Sequence, residues 1–148
     1  MSKSFLVIGS VLSILLCICA QSAHGFSWGE IFASKKNVTV VNDLDPYITL
    51  KIHCRSSDDD LGEHFLGYQR GFSWRFKVNL KQTTDFWCDS SWTDVNGKLY
   101  QKPFTAYNAN RDWMRHCHNN CVWRIRQDGG YYGDGYDKQF PSAKMFTY

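Results

Sequence analysis

Phe72-Ser73-Trp74-Arg75-Phe76-Lys77-Val78-Asn79-Leu80 places an apolar side chain at every second position and a polar one between. A period of two over nine residues is the pattern of a strand with one face in a core and the other in water. The same alternation runs through Ile48, Leu50, Ile52 and Cys54, and again through Cys121, Trp123 and Ile125. Thr84, Phe86 and Cys88 repeat it over a shorter run. Three cysteines therefore share the phase of the apolar faces, and Cys117 falls just before the Cys121 run.

Between these runs stand turn signals: Asp45-Pro46 before a strand, Asn96-Gly97 suited to a type I′ hairpin, and Asp128-Gly129-Gly130 before Tyr131-Tyr132. Few stretches have helical spacing, and a single helical turn is predicted around Asp112 to Arg115. The segment from Gly129 to Tyr136 reads as a long hairpin loop. The fold class that follows is all-β, an antiparallel sandwich of about seven or eight strands that begins with Val38 to Val41 and ends in a hairpin.

Lys3 precedes an apolar run from Phe5 to Ala20, and Ala23-His24-Gly25 offers small residues for cleavage. Residues 1–25 are read as a signal peptide and 26–148 as one secreted domain. A spanning helix would need about 20 apolar residues, more than this run supplies. Cys17 and Cys19 would leave with the leader, so Cys54, Cys88, Cys117 and Cys121 enter an oxidising route, where two intrachain disulfides are expected. Three pairings are open. Cys54 with Cys121 and Cys88 with Cys117 is preferred, because those bridges would join strands distant in sequence. Loss of Lys3 lowers the formal charge from +3 to +2. That surplus makes no case for nucleic acid. The pairs Lys35-Lys36 and Arg124-x-Arg126 read as solvated.

Cys117-His118-x-x-Cys121 has zinc-ligand residue types, but a single cluster in an exported chain favours the disulfide. Asp58-Asp59-Asp60 lacks calcium-loop spacing, since the sixth and twelfth positions are Glu63 and Gln69 where glycine and glutamate are needed. It reads as an exposed acidic loop, and no metal or cofactor is assigned. His53 and His64 could serve a secreted hydrolase of ribonuclease or phospholipase type if folding joined them. No nucleophile elbow or metalloprotease motif accompanies them, so no catalytic residue is assigned. Asn37-Val38-Thr39 is a glycosylation sequon at the edge of the first strand.

Taken together, Ile52-His53-Cys54-Arg55-Ser56-Ser57-Asp58-Asp59-Asp60-Leu61-Gly62, Trp74-x-Phe76, Thr84-x-Phe86-x-Cys88, and Cys117 with Cys121-x-Trp123 resemble the plant self-incompatibility protein S1 family. The likeness runs from Val40-x-Asn42 through Gly130-Tyr131. It implies a small secreted sandwich with two disulfides that acts as an extracellular ligand, a monomer engaging a cell-surface receptor without membrane insertion. In that family surface loops carry recognition, and the matching loops are Asp58 to Gly62, Asp89 to Gly97 and Gln127 to Asp137. The expected recognition residues are Asp58, Asp59, Asp60, Trp92, Asn96, Tyr131, Tyr132 and Asp134. Trp87 and Trp92 are candidates for exposed contacts, the alternative being that they pack on the second face of a sheet or against neighbouring loops; a secreted hydrolase is the alternative function. Receptor identity, tissue and biological process are not legible in the residues.

Overall fold

The computed structural model describes residues 35–112, 116–135 and 142–148. The expected leader, 1–25, and its cleavage point lie outside the described residues. Nine strands are present among those described: β1 Lys35–Asn42, β2 Leu50–Arg55, β3 Asp60–Leu66, β4 Gly71–Lys77, β5 Asp85–Thr93, β6 Leu99–Asn108, β7 Asn120–Arg126, β8 Gly129–Asp134 and β9 Ala143–Phe146. One helical turn, α1 Ala109–Asp112, follows β6. It starts earlier than the turn predicted from Asp112, and residues 113–115 lie outside the described residues.

The strands form a five-stranded sheet, β4-β1-β7-β8-β9, and a four-stranded sheet, β3-β2-β5-β6. The expected sandwich is therefore present. Every pairing is antiparallel except β1 with β7, which run parallel. Alternation delivers the core: Val38, Val40, Trp74, Trp123, Ile125 and Tyr132 from one sheet meet Leu50, Ile52, Phe86, Trp92 and Phe104 from the other. Each large apolar side chain removed from water contributes about 1.5–3 kcal/mol. Phe76 packs on Phe86 at 4.6 Å and Phe104 on Trp123 at 4.6 Å across the sheets. The Trp123 indole N–H donates to the Ala106 carbonyl at 2.8 Å, which satisfies its one polar atom.

Two strands defeat a periodicity reading. In β3, Gly62 takes a left-handed φ of 77° and the β2–β3 register shifts between His53 and Arg55, so Asp60-Leu61-Gly62 belongs to a bulged strand and not to a loop. In β6, Pro103 interrupts a ten-residue strand, and this is tolerated because β6 pairs only with β5 and lies at the sheet edge. The stretch read as a long loop from Gly129 is also a strand. A side chain at Gly129 would collide with the Phe146 carbonyl and one at Gly130 with the Phe146 ring, so both glycines let β9 close on β8. Conversely, the opening run stops at Lys77 and leaves Leu80 exposed. There Asn79 turns the chain by accepting from the Thr83 N–H at 2.8 Å and donating to the Thr83 hydroxyl at 2.7 Å.

At the Asn96-Gly97 hairpin the predicted type I′ turn is replaced. Asp94 accepts from Gly97 N–H at 3.0 Å, only Gly97 has positive φ, and Asp94 donates back to Lys98 at 3.0 Å. This is a type I turn closed by a left-handed glycine, as three-residue hairpins use.

Two disulfides are present, but the preferred pairing is overturned: the bridges are Cys54–Cys88 and Cys117–Cys121. Cys54 and Cys88 stand directly opposite each other in β2 and β5, with Cα atoms 4.0 Å apart. Facing sheets lie about 10 Å apart, so a neighbour in register within one sheet is the nearer partner. Cys117 and Cys121 flank the entry to β7, with Cα atoms 5.1 Å apart.

Candidate recognition face

The outer face of the four-stranded sheet is built from the alternate residues that strand pairing turns away from the core. Across its centre Glu63, His53 and Asp89 stand in one row on β3, β2 and β5. Phe65, Lys51 and Ser91 form the next row, and Asp60, Arg55 and Trp87 lie on the other side. Lys51 pairs with Glu63 at 2.6 Å, Arg55 with Asp89 at 2.7 Å, and His53 Nε2 with Asp60 Oδ1 at 2.6 Å. Lys51 and Arg55 thus each have their own carboxylate. The hydrogen bond from His53, and next the one from the Gly62 N–H, holds the Asp60 carboxyl below the usual carboxylate range.

This lattice borders a shallow depression of about 360 Å³ lined by Lys51, His53, Glu63, Asp89, Gln101 and Pro103. At the Lys51 end it continues into a more open depression of about 400 Å³, walled by Tyr47, Phe65 and Leu99. Those three side chains are 95%, 67% and 55% exposed, and Lys51 Nζ lies 5.8 Å from the Phe65 ring centre. Charges satisfied among themselves beside uncovered apolar groups suit a surface that gains mainly by burying the apolar rim.

The expected recognition residues do not assemble. Asp58 and Asp59 occupy an exposed turn in which both N–H groups donate to the Ser56 hydroxyl, at 3.2 and 3.0 Å. Asn96 is exposed at the hairpin tip. Asp60 lies on β3, as above. Trp92 is only 4% exposed and stacks on Tyr100 at 4.1 Å, so it is a core residue and not a contact. Trp87, in the opposite phase of the same strand, is 36% exposed on the outer face. Tyr132 is fully buried against Trp123, and burial pushes its hydroxyl far up. Tyr131 lies on the far side of the molecule, where its hydroxyl donates to Asp128 at 2.7 Å. Asp134 ends β8 and accepts from the His118 N–H at 2.8 Å. Residues 136 and 137 of the third expected loop lie outside the described residues.

The histidines separate likewise. His64 is opposite Ile52 and so points inward, where its ring stacks on Phe72 at 3.6 Å, while His53 points outward beside Glu63. Their imidazoles face opposite sides of one sheet and share no reacting atom. Cys117 and Cys121 are bonded to each other and offer no thiolate to zinc, and no group of three or more potential ligands for a metal occurs among the described residues. Asn37 lies on β1 with its side chain on the outer face of the five-stranded sheet, opposite Arg75. No helix among the described residues is long and apolar enough to cross a membrane.

Tyr47, Phe65 and Leu99 were not singled out from sequence. For Phe65 and Leu99 the signal was an apolar residue in the polar phase of a strand, and neither β3 nor β6 was recognised as one; Tyr47 stands in the turn before β2.

The profile described as plant self-incompatibility protein S1 matches residues 37–147. S-protein homolog 29 of Arabidopsis thaliana is 40% identical over 130 residues, which covers 88% of this chain and 88% of its own length. S-protein homolog 24 of the same plant is 43% identical over 109 residues, covering 74% of this chain and 65% of its own length. Among solved structures, one of a self-incompatibility protein homologue superposes with a TM-score of 0.55 at 19% identity, covering 76% of this chain and 93% of that chain. The latter is described as belonging to a widespread family of small, highly stable, secreted proteins from plants.

Proposed function

Because this chain belongs to the plant self-incompatibility protein S1 family, we propose that it is a secreted recognition ligand that meets a cell-surface receptor through the outer face of its four-stranded sheet. The observation that carries this reading is the exposed rim of Tyr47, Phe65 and Leu99 beside an internally neutralised charge lattice. Covering such a rim yields about 25 cal/mol per Å² of apolar surface, whereas the lattice adds orientation and little affinity. Separation of His53 from His64 weakens the hydrolase alternative, which needed both on one substrate.

Labelled protein applied to intact plant protoplasts tests the proposal. Saturable binding is expected, and Phe65→Ala with Leu99→Ala should weaken it by roughly tenfold or more while thermal stability stays near wild type, since both side chains are exposed. Binding by the double variant equal to wild type, or the absence of any saturable component, would overturn the assignment.

A further inference from the structure

Folding gathers onto the other sheet cations that the sequence disperses. The outer face of β4-β1-β7-β8-β9 carries Lys77 and Arg75 from β4, Lys35 from β1, Arg124 and Arg126 from β7, and Lys144 from β9. Asp43 takes Arg126 at 2.8 Å and Asp128 takes Lys144 at 2.7 Å. Lys35, Arg75 and Lys77 have no ion-pair partner among the described residues. Lys35 and Lys77 are direct cross-strand partners, and Arg75 is two residues from Lys77 on the same edge of the sheet. Like charges directly opposed on a sheet repel, so this arrangement costs stability and no carboxylate of the face relieves it. Lys77 also borders a depression lined by Asp58, Asp59 and Asp85, but forms no ion pair with any of them. The contrast is with Lys51 and Arg55 at the centre of the four-stranded sheet, each of which has its carboxylate.

Between the two groups of cations lies a flat polar strip of Asn37, Thr39 and Ser73, with the two hydroxyls 2.8 Å apart. The apolar side chains among the described residues here are half-buried Val41, Val122 and Tyr131, with exposed Met145 alone on the β9 edge, too little to anchor in a bilayer or to stack a run of splayed bases. We infer that this face binds a linear polysaccharide bearing carboxylates. Its charges would answer Lys35, Arg75, Lys77 and Arg124, and its hydroxyls would meet the polar strip. Asn37 is the cross-strand partner of Arg75, so a glycan attached there would stand on the same strip and limit access to it.

The test uses the full domain produced in a bacterial periplasm, where disulfides form and no N-glycan is added, with de-esterified polygalacturonate as the probe. Binding at low salt that weakens as salt rises is expected. Arg75→Glu with Lys77→Glu should weaken it by roughly tenfold or more, and Lys51→Glu with Lys102→Glu, an equal change in net charge centred on the other sheet, by under about threefold. If the first variant does not fold, Lys35→Ala with Arg75→Ala replaces it, since removing one of two opposed lysines relieves repulsion. Fully methyl-esterified polymer should bind at least about tenfold more weakly, having lost its charges. Equal losses in the two charge-reversal variants would overturn the inference, as would undetectable binding of the wild type. So would single-stranded DNA or phosphatidylserine vesicles binding as tightly as polygalacturonate at the same salt.

Discussion

Asn42 is the residue whose loss the structure prices most directly. It ends β1, is fully buried, and bonds three backbone groups: its amide donates to the carbonyls of Ile48 at 2.8 Å and Leu66 at 2.7 Å, and its Oδ1 accepts from the Leu44 N–H at 3.0 Å. Those contacts tie a strand of one sheet to β3 of the other and fix the connection into β2. Leucine in its place keeps most of the volume, so the loss is polar. Three hydrogen bonds at about 0.5–1.5 kcal/mol each, lost from a fully buried site where water cannot replace them, put the cost near the top of that sum, about 3–4.5 kcal/mol. For a domain of this size with about 5–15 kcal/mol of stability, that is a large share. In urea unfolding at neutral pH, followed by tryptophan fluorescence with disulfides intact, a slope of about 2 kcal/mol per M converts the loss to a midpoint lower by about 1.5–2.25 M with m unchanged. Asn42→Asp should not rescue it, because a second oxygen would then face the two carbonyls. A midpoint shift below about 0.5 M for Asn42→Leu would refute the account of this side chain as a clasp between sheets.

Removing the Cys54–Cys88 bridge, which closes a sequence separation of 34, should cost about 4 kcal/mol, and removing Cys117–Cys121, with a separation of 4, about 2 kcal/mol, on a chain-entropy argument. Paired alanine variants compared by urea midpoint check the order, and a larger loss from the short bridge would contradict it. Trp92→Ala should cost about 3–5 kcal/mol and Trp87→Ala under about 1 kcal/mol, because one is in the core and the other on the surface. Similar thermal shifts for the two would place the boundary of the core wrongly. Three carboxyls are held below their ordinary range: Asp43, where burial pushes up but hydrogen bonds from Arg126 and Gln69 outweigh it; Asp60, through His53; and Asp128, through Lys144 and Tyr131. A depressed folded value contributes stability above the unfolded value of about 3.9, and that contribution is lost as pH falls through the lower folded values. Calorimetry should therefore show a nearly flat melting temperature between about pH 5 and 7 and a decline below about pH 4, whereas a rise on acidification would count against these pairings.

What could be read from the chain was whatever a period of two expresses by itself. Leu50, Ile52 and Cys54, or Cys121, Trp123 and Ile125, announce a buried face whatever their partners are, and all are buried. Pairing between strands is a long-range property, and the cysteines illustrate the gap: phase showed that Cys54 and Cys88 face inward, but only register shows that they face each other. Lys36 makes the same point for charge. In sequence it resembles its solvated neighbour Lys35, yet it is 2% exposed, its amine bonded to the His118 carbonyl and the Asn119 side chain. Trp92 and Tyr132 looked available because their segments resembled loops. Once β5 and β8 are strands, alternation sends both inward.

Strand lengths also favour faces over loops for the recognition proposed above. The connection from β7 to β8 leaves only Gln127 and Asp128 outside the strands, and the β5–β6 hairpin is held by the Asp94 bonds. Loops this short and self-bonded offer few side chains to a partner, whereas the outer phase of nine strands offers a grid whose spacing the backbone fixes. The two grids differ in kind. One neutralises its charges internally and exposes an apolar rim, which favours a protein partner; the other leaves cations opposed, which favours a polyanion. Because they lie on opposite sides of a sandwich, neither partner would exclude the other. On the reading proposed above, a polysaccharide could therefore hold the ligand by one sheet while the other remains open to a receptor, so the two binding constants should be independent in any experiment that supplies both.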